Sequence, residues 1–296
     1  MDTVLILGGL GFDLEDAQHL AKQESLKLVH APMQNLRCII ANEETRWKVI
    51  GVTLRHVNAI WVRGLFTKEL HRNDTQQAAL VADFLTYMRK RFPQIVIIDE
   101  WAFQKGSIDK LKQVQILAAA RVTVPKSQLA ITVNQGYYFP FPVVVKPMFA
   151  CDGKGIERFE DTQAYRTWAN SSRVYFPALV QEWIPNDADY RVLIVGGRIL
   201  ATVKRTREGG ILNNPTRNVA QEIVELPSGA LLLAQRAAQA SGLEIAGVDL
   251  IQHKETGEWY VLEVNQSPDL SRIQEAGIES PLATIITFIA RNLQSS

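Results

Sequence analysis

Residues 245–268 read IAGVDLIQHKETGEWYVLEVNQSP, and this stretch decides the fold of the C-terminal part of the chain. Two apolar runs that are typical of buried strands flank the polar segment 253–258, which has the composition of a turn. Glu263 and Asn265 lie two residues apart on the second run, so both side chains point to one face of the predicted strand. Asp249 lies on the first run, and antiparallel pairing of the two strands would bring the three side chains together.

Carboxylate and amide oxygens are the ligands that Mg²⁺ prefers, and Mg²⁺ often shares its coordination with phosphate oxygens and water. An acid on an apolar strand is costly unless it is paired or bound to a metal. For any one of these residues, an ion pair with a nearby Arg or Lys is the better interpretation. For all three together, a magnesium site is the stronger hypothesis.

The composition excludes several classes of protein. The 296 residues are 47% hydrophobic and 21% charged, an ordinary globular balance, and a net charge of +1 predicts neither nucleic acid nor membrane as a partner. The apolar runs are too short to cross a bilayer, and Asp2 stands where a signal peptide carries positive charge, so we expect a cytoplasmic protein. Cys38 and Cys151 lack metal-site spacing, which argues against zinc.

The first hundred residues alternate strands with a helix. We expect buried strands at 3–8, 58–62 and 94–98 and an amphipathic helix at 75–91, which together indicate a small α/β unit. The Gly-Gly pair that ends the first strand lacks the G-x-G-x-x-G spacing of a dinucleotide site. It is interpreted as a turn.

Two further sections follow along the chain. Near the start of the second section, Ser107 is expected to cap an amphipathic helix, and residues 121–125 are expected to form a strand. From about residue 178 onward the pattern predicts mostly antiparallel strands, with a glycine hairpin at 196–197 and a helix that ends at Gly242. The C-terminal two-thirds is therefore predicted to be α+β.

A lysine just before a glycine-containing loop can bind phosphate. Residues 142–147 read PVVVKP, a predicted strand, and a loop with Gly153 and Gly155 follows Lys146. The ammonium group and the loop amides could contact the same phosphate. The spacing is not that of a P-loop, and on spacing alone an ordinary glycine-containing hairpin is the better interpretation.

A second weak signal follows in the run 178–184, where Gln181 and Glu182 precede a proline turn. A strand that leaves its sheet at this point exposes backbone N–H and C=O groups, which can bind the edge of an adenine. An acid further along the chain can bind ribose hydroxyls.

The order of these features resembles the ATP-grasp superfamily, and most closely its RimK-type amino-acid ligases. The resemblance covers about residues 109–278 and rests on DKLKQVQIL, PVVVKPMFACDGKGI, VQEWI, DYRVLIVGGRILA, AGVDL and LEVNQSP. It implies an α+β ATP-grasp fold, in which two α/β subdomains clasp ATP. The expected division is a pre-grasp α/β domain at 1–105, a central subdomain with the glycine loop at 106–178, and a C-terminal subdomain with the metal site at 179–296.

The resemblance also implies an ATP-dependent carboxylate–amine ligase that forms an acyl phosphate and releases ADP and phosphate. The expected cofactors are ATP and two Mg²⁺ ions, with Mn²⁺ as an alternative. The residues expected to bind the nucleotide are Lys110, Lys146, Gly153, Gly155, Gln181, Glu182, Ile184, Asp189 and Asn214. The expected metal ligands are Asp249, Glu263 and Asn265, and the residues expected to bind the substrate carboxylate or the acyl phosphate are Arg205 and Arg217.

The expected substrates are a carboxylate and an amine carried by small molecules or peptides, such as an amino acid, a peptide or a protein terminus. Related ligases are often dimers or tetramers, so the resemblance implies a homodimer or a homotetramer. Arg63 ends a predicted strand, where it either faces the acceptor site or forms a surface salt bridge.

The sequence departs from the family pattern at two places. Ala150-Cys151 stand where relatives usually begin the glycine loop with Gly and Ser or Thr, and Leu212 and Asn218-Val219 stand where relatives tend to carry Arg and Gly-Gly. These departures support an alternative, a non-catalytic ATP-binding protein similar to synapsin on the same scaffold. The complete set of metal ligands argues against that alternative.

Overall fold

The structure is a computed structural model, and it describes residues 1–64, 74–106, 109–132, 139–148, 155–170, 177–207, 219–278 and 280–295. Its helices and strands form an α+β fold with a parallel sheet in the N-terminal part and antiparallel sheets in the central and C-terminal parts.

The N-terminal part is a small α/β unit. It contains β1 (Asp2–Gly8), α1 (Leu14–Gln23), β2 (Leu26–Ala31), β3 (Leu36–Ala41), β4 (Glu44–Val49), β5 (Ala59–Arg63), α2 (Asp74–Arg91), β6 (Val96–Ile98) and α3 (Glu100–Lys105). Four strands form a parallel sheet in the order β2-β1-β5-β6, and β3 pairs with β4 in a separate hairpin. The three strands and the helix predicted for this part are confirmed, while α1, β2, the hairpin and α3 were not predicted.

Strand β1 is apolar along most of its length because both faces of its sheet are covered. Val4 and Ile6 pack into the core that contains α1, whereas Leu5 and Leu7 pack on the opposite face with residues of α2. Strands that are covered on both faces read as continuous apolar runs instead of alternating ones. The run at 3–8 in the sequence therefore reflects burial on both sides.

The central part contains α4 (Lys110–Ala119), β7 (Ser127–Ala130), β8 (Val143–Pro147), β9 (Glu157–Phe159), α5 (Thr162–Ala169) and β10 (Ala178–Glu182). Its strands form an antiparallel sheet in the order β7-β10-β8-β9. Strand β10 therefore lies in the central sheet, although the division expected from the sequence assigns residues from 179 onward to the C-terminal part.

Two predictions next to α4 are wrong. Asp109 caps this helix, since its carboxylate accepts a hydrogen bond from the Lys112 N–H at 2.8 Å, while the expected cap Ser107 lies outside the described residues. Residues 121–125 do not form a strand. Val122 is apolar because it packs into a core, and Pro125 has no N–H to donate to a sheet. The apolar pattern there indicated burial without strand pairing.

The C-terminal part contains β11 (Asp189–Val195), β12 (Arg198–Arg207), β13 (Val219–Ile223), α6 (Ser228–Ser241), β14 (Ile245–Gln252), β15 (Trp259–Asn265), α7 (Leu270–Glu275) and α8 (Pro281–Gln294). The strands form an antiparallel sheet in the order β13-β12-β11-β14-β15. The predicted hairpin at 196–197 joins β11 to β12, and Gly242 ends α6 with a left-handed φ of 69°. Both predictions are confirmed.

The N-terminal and C-terminal parts share one hydrophobic core. Leu193 of β11 and Ile285 of α8 belong to the same buried cluster as Val4 and Trp61 of the parallel sheet. The two parts therefore support each other, and the N-terminal unit buries one of its faces only when the C-terminal part is present. In the described part of the chain, no helix combines the length and the apolar composition needed to cross a membrane.

Asp99 joins the end of β6 to the start of β14. Its carboxylate accepts hydrogen bonds from the Glu244 N–H at 2.6 Å and the Ile245 N–H at 3.2 Å, and the Asp99 N–H donates to Glu244 at 2.9 Å. Burial raises the pKa of Asp99 from its ordinary value of 3.8 to about 8, although the two backbone donors act in the opposite direction. The folded protein therefore holds a proton that the unfolded chain releases at a lower pH.

We expect the free energy of unfolding to decrease as the pH rises from about 4 to about 8, because in this window the folded state binds the Asp99 proton more strongly than the unfolded state does. Asp99→Asn removes the titration and keeps an acceptor oxygen. The Tm of this variant relative to the wild type should rise by about 4 °C between pH values of about 5 and about 8.5. Asp187 is exposed, so Asp187→Asn serves as the control, and its Tm difference from the wild type should stay constant between these pH values. A Tm difference that also stays constant for Asp99→Asn would contradict the assignment.

Candidate active site

Strands β14 and β15 bring the three predicted metal ligands together. Asp249 lies directly opposite Glu263, and Gly247 lies opposite Asn265, in antiparallel register. Residues that lie opposite each other in a sheet point to the same face, and so do residues two apart on one strand. The predicted pairing of these two strands is therefore confirmed, and the three side chains share one face of the C-terminal sheet.

Three side chains hold the carboxylate of Asp249. Arg191 donates to both oxygens, from Nε at 2.8 Å and from Nη2 at 2.7 Å. Arg205 Nη2 lies 3.1 Å from Oδ1, and Asn265 Nδ2 donates to Oδ2 at 3.1 Å. Only 9% of Asp249 is exposed, so these contacts replace the water that an exposed carboxylate would have.

The electrostatics of the cluster keep Asp249 ionised. Burial acts to raise the pKa of Asp249, but the charges of Arg191 and Arg205 outweigh burial and hold this pKa below its usual range. Burial likewise acts to lower the pKa of Arg191, and the Asp249 carboxylate outweighs that effect. The ion pair that the sequence offered as the simpler interpretation of Asp249 is therefore present.

Arg191 is a site residue to which sequence reasoning gave no role. It lies opposite Asp249 in the sheet, and Asp189 lies opposite Arg205. Arg205 forms ion pairs with both Asp189 and Asp249, so the two arginines and two aspartates form one connected network. The signal that could have found Arg191 was its spacing from Asp189, because two residues two apart on a strand share a face.

Lys146 lies near this cluster on β8 of the central sheet. Desolvation lowers the pKa of Lys146 to about 8, the carboxylates of Glu263 and Asp249 act to raise it, and the charge of Lys110 acts to lower it further. Since charges influence one another strongly only at short range, the two lysines and the two carboxylates lie in one neighbourhood. Residues predicted from three separate stretches of sequence thus meet at one place.

Helix α4 is fixed to β15 by Gln113. The Gln113 side chain donates to the Val264 carbonyl at 2.8 Å and accepts from the Val264 N–H at 2.8 Å. Val264 stands between Glu263 and Asn265, and Gln113 is one helical turn from Lys110 at the start of α4. This pair of hydrogen bonds therefore sets the position of Lys110 relative to the predicted metal ligands.

The predicted adenine-binding segment lies at the end of β10. Gln181 is buried and donates to Ser127 Oγ at 2.8 Å. The Glu182 N–H donates to the Lys126 carbonyl at 2.9 Å, so it is already used within the central sheet. Among the described residues, no backbone hydrogen bond is donated by the N–H of Ile184, which is buried.

Some predicted residues lie outside the part of the chain that the structure describes. They are Gly153, Asn214, Arg217, Ala150, Cys151, Leu212 and Asn218. Gly155, the last glycine of the predicted loop, is described, and its φ of 70° lies in the left-handed region that favours glycine.

The surface salt bridge offered for Arg63 is wrong. Arg63 is 2% exposed, and its guanidinium donates to the carbonyl oxygens of Leu10 and Pro268, each at 2.9 Å. Burial lowers the pKa of Arg63 to about 10, while the carboxylates of Asp269 and Asp99 act to raise it. A charged group in this setting is part of the interior, which the sequence alone does not reveal.

Comparison with known proteins identifies the family. The fold is that of an ATP-grasp protein, and residues 107–289 match the RimK-like ATP-grasp domain. The matched range includes Lys110, Lys146 and the three predicted metal ligands. The chain belongs to the RimK-like ATP-grasp family.

Two curated relatives share this match. The probable alpha-L-glutamate ligase 2 of Hahella chejuensis is 32% identical over 196 residues, which are 63% of this chain and 64% of that protein. The probable alpha-L-glutamate ligase of Mannheimia succiniciproducens is 30% identical over 235 residues, which are 75% of this chain and 76% of that protein. The matched segment thus spans less than two thirds of the first relative's length.

A solved structure confirms the fold predicted from the sequence. The ATP-grasp ligase PsnB, complexed with a phosphomimetic variant of minimal precursor, Mg and ADP, superposes with a TM-score of 0.69 and covers 99% of both chains. The sequence identity is 14%, so this likeness concerns the fold alone.

We expect Arg191→Met to lower the free energy of unfolding by about 3 kcal/mol, because the buried Asp249 carboxylate loses its bidentate partner. Urea unfolding measures this change. Arg198→Met, on an exposed position of the adjacent strand, should change it little. The double variant Arg191→Met/Asp249→Leu should recover part of the loss, since no unpaired carboxylate remains. Equal stability of Arg191→Met and Arg198→Met would contradict the role assigned to the ion pair.

Proposed function

We propose that the protein is an ATP-dependent carboxylate–amine ligase that forms an amide or peptide bond and converts ATP to ADP and phosphate. The observation that carries the proposal is a shared geometry: Glu263 lies opposite Asp249 on one face, and Gln113 holds the start of α4, with Lys110, against the neighbouring Val264. The charges of both carboxylates and of Lys110 act on Lys146 of the central sheet. Two cations beside two carboxylates suit a site for a metal-bound polyphosphate, because the ammonium groups and the metal neutralise the phosphate charge.

The nucleotide would lie between the central and the C-terminal sheets. Lys110 and Lys146 would bind the phosphates, and the backbone of Glu182 and Ile184 would bind the adenine edge beside Gln181. The burial of Gln181 and Ile184, at and just after the end of β10, supports this arrangement. Asp189, Gly153, Gly155 and Asn214 belong to the same proposal as nucleotide contacts.

The donor set of the proposed metal site fits magnesium. Glu263, Asp249 and Asn265 present hard oxygen atoms on one face, and Mg²⁺ is usually bound by one or two carboxylates together with substrate phosphates. In the described part of the chain, no group of three or more His, Cys, Asp or Glu side chains is arranged to hold a metal ion. Two Mg²⁺ ions, or Mn²⁺ in their place, would neutralise the charge of the phosphates.

Both oxygens of Asp249 already accept hydrogen bonds, whereas Glu263 lies opposite it on the same face. Glu263 would therefore hold the ions with a carboxylate for which the sheet places Asp249 directly opposite. Asn265 directs its amide nitrogen to Asp249 and would bind a cation through Oδ1, since the nitrogen carries no lone pair for a metal.

The chemistry takes place in two steps. An oxygen of the substrate carboxylate attacks the γ-phosphorus of ATP, the bond to the bridging oxygen of ADP breaks, and an acyl phosphate forms. The amine then attacks the acyl carbon, phosphate leaves and the amine loses a proton. Arg205 and Arg217 would hold the substrate carboxylate and the acyl phosphate, because guanidinium groups bind both with paired hydrogen bonds. The protein contributes position and charge more than covalent chemistry.

The substrate proposal is limited to a class. The two curated relatives are named as probable alpha-L-glutamate ligases, and the ATP-grasp ligase PsnB, which shares the fold, has been solved in complex with the precursor peptide PsnA2. We include in the proposal a carboxylate and an amine from an amino acid, a peptide or a protein terminus. A cytoplasmic location and a homodimer or homotetramer complete the proposal.

We expect Lys146→Ala or Glu263→Ala to reduce ADP formation at least about 100-fold, because each removes a charge that neutralises the reacting phosphates. The measurement is ADP release in the presence of Mg-ATP and a panel of amino acids and peptides. Lys22→Ala, at the end of α1, is the matched control and should retain wild-type turnover. Full turnover in either site variant would contradict the proposal.

Label transfer tests the intermediate. When the substrate carboxylate carries ¹⁸O, one labelled oxygen should appear in the released phosphate, because the acyl phosphate leaves with an oxygen from that carboxylate. Mass spectrometry of phosphate measures it. Turnover without label in phosphate would overturn the acyl-phosphate route. Tight Mg-ATP binding without turnover across the whole panel would favour the non-catalytic alternative.

A further inference from the structure

Arg63 ends β5 and reaches into the C-terminal part of the chain. Its Nη2 donates to the Pro268 carbonyl at 2.9 Å, and its Nε donates to the Leu10 carbonyl at 2.9 Å. Its guanidinium carbon lies 4.9 Å from the ring centroid of Trp61 and 5.1 Å from that of Phe12, so the cation also contacts two aromatic faces.

The contacts of Arg63 belong to a larger attachment of the same segment. The Gly64 N–H donates to Ser267 Oγ at 2.8 Å, and Gln266 Nε2 donates to the Val62 carbonyl. The Ser267 hydroxyl in turn donates to Gln266 Oε1 at 3.0 Å. The end of β5 thus binds each of the residues 266, 267 and 268, which directly follow Asn265 along the chain.

A buried arginine is costly, so its presence calls for a physical reason. Arg63 is 98% buried, since 2% of its surface is exposed, and among the described residues its Nη1 has no hydrogen-bond partner. Its hydrogen bonds to Leu10 and Pro268 do not neutralise its charge, because both acceptors are backbone carbonyls. A hydrophobic side chain of similar volume would fill the same space at lower cost. Such a hydrophobic side chain could not donate a hydrogen bond to the Pro268 carbonyl, as Arg63 does.

The position of Pro268 bears directly on the proposed metal ligands. An added Cβ at Gly247 would lie 2.9 Å from the Pro268 side chain and 3.6 Å from Arg191 Nε, so Pro268 and the Arg191 side chain both pack over Gly247. Gly247 is the sheet partner of Asn265, and Arg191 is the bidentate partner of Asp249. A shift of Pro268 over Gly247 would therefore move it toward the Arg191 side chain.

We propose that Arg63 is a positioning residue for the metal site: by holding the segment 266–268, it fixes Asn265 and, across Gly247, the Arg191–Asp249 pair. This inference rests on the proposed metal role of Asp249, Glu263 and Asn265. The N-terminal part would thus influence metal affinity through the segment 266–268, without contact between Arg63 and the proposed metal ligands.

The test measures ADP binding as a function of the Mg²⁺ concentration, by titration calorimetry with the full chain. Arg63→Met should raise the Mg²⁺ concentration at half-maximal ADP affinity about 10- to 100-fold, which is the effect expected when a group that orients a ligand is lost. Arg63→Lys keeps a cation and one donor and should show a smaller increase. ADP binding without Mg²⁺ should change little in either variant.

Arg89→Met is the matched structural control. Arg89 also donates to two backbone carbonyls, those of Pro93 at 2.9 Å and Ile95 at 2.6 Å, and lies in the same N-terminal unit. It should lower the Tm and leave the Mg²⁺ dependence at the wild-type value. An equal shift in Mg²⁺ dependence for Arg89→Met and Arg63→Met would overturn the inference, because both would then act through stability alone.

Ser267→Ala covers the case in which Arg63→Met does not fold. It removes the hydrogen bonds of the Ser267 hydroxyl with the Gly64 N–H and with Gln266 Oε1, and it should raise the Mg²⁺ requirement in the same direction. Unchanged Mg²⁺ dependence in Ser267→Ala and in whichever Arg63 variant folds would overturn the inference. Glu263→Gln separates the two levels: if its Mg²⁺ dependence is unchanged, the metal assignment itself fails, whereas a shift there with none at Arg63 refutes only the positioning role.

Discussion

The ionised carboxylate of Asp249 imposes the constraint on which the rest of the site depends. A carboxylate that is 9% exposed must be compensated, and here the compensation comes from Arg191, Arg205 and Asn265 on three other strands. Because each of those side chains must also reach Asp249, the registers of β11, β12, β14 and β15 are fixed together. A slip by one residue would turn every partner to the opposite face.

The arrangement separates two kinds of charge. The C-terminal sheet carries carboxylates already neutralised in part by arginines, whereas Lys146 enters from the central sheet and is desolvated enough to lower its pKa to about 8. A polyanion that enters between the sheets would restore the full charge of Lys146, because phosphate favours the protonated form. Nucleotide binding at the proposed site would therefore offset part of the desolvation cost of Lys146.

Much of this could be read from the sequence, and the reasons for what could not are physical. Local sequence patterns predicted three features: the apolar run of β1, the glycine turn at 196–197, and the shared face of Glu263 and Asn265 on one strand. Arg191 received no role, and the surface salt bridge offered for Arg63 was wrong. An arginine on a strand reads as a surface residue unless its partner is known, and both partners lie far along the chain, at Asp249 and Pro268. Likewise the apolar pattern at 121–125 could not distinguish packing against a core from pairing in a sheet.

The amide of Gln113 has a consequence for motion. The Gln113 side chain donates to the Val264 carbonyl and accepts from the Val264 N–H, as the backbone of a neighbouring strand would. These two hydrogen bonds attach α4 to the edge of the C-terminal sheet. Lys110 and the residues around Asp249 therefore belong to one stiff block, while Lys146 and Gln181 belong to the other, the central sheet. If the two sheets separate to admit nucleotide, the backbone would bend in the two segments that join them, residues 120–126 between α4 and β7 and residues 183–188 between β10 and β11.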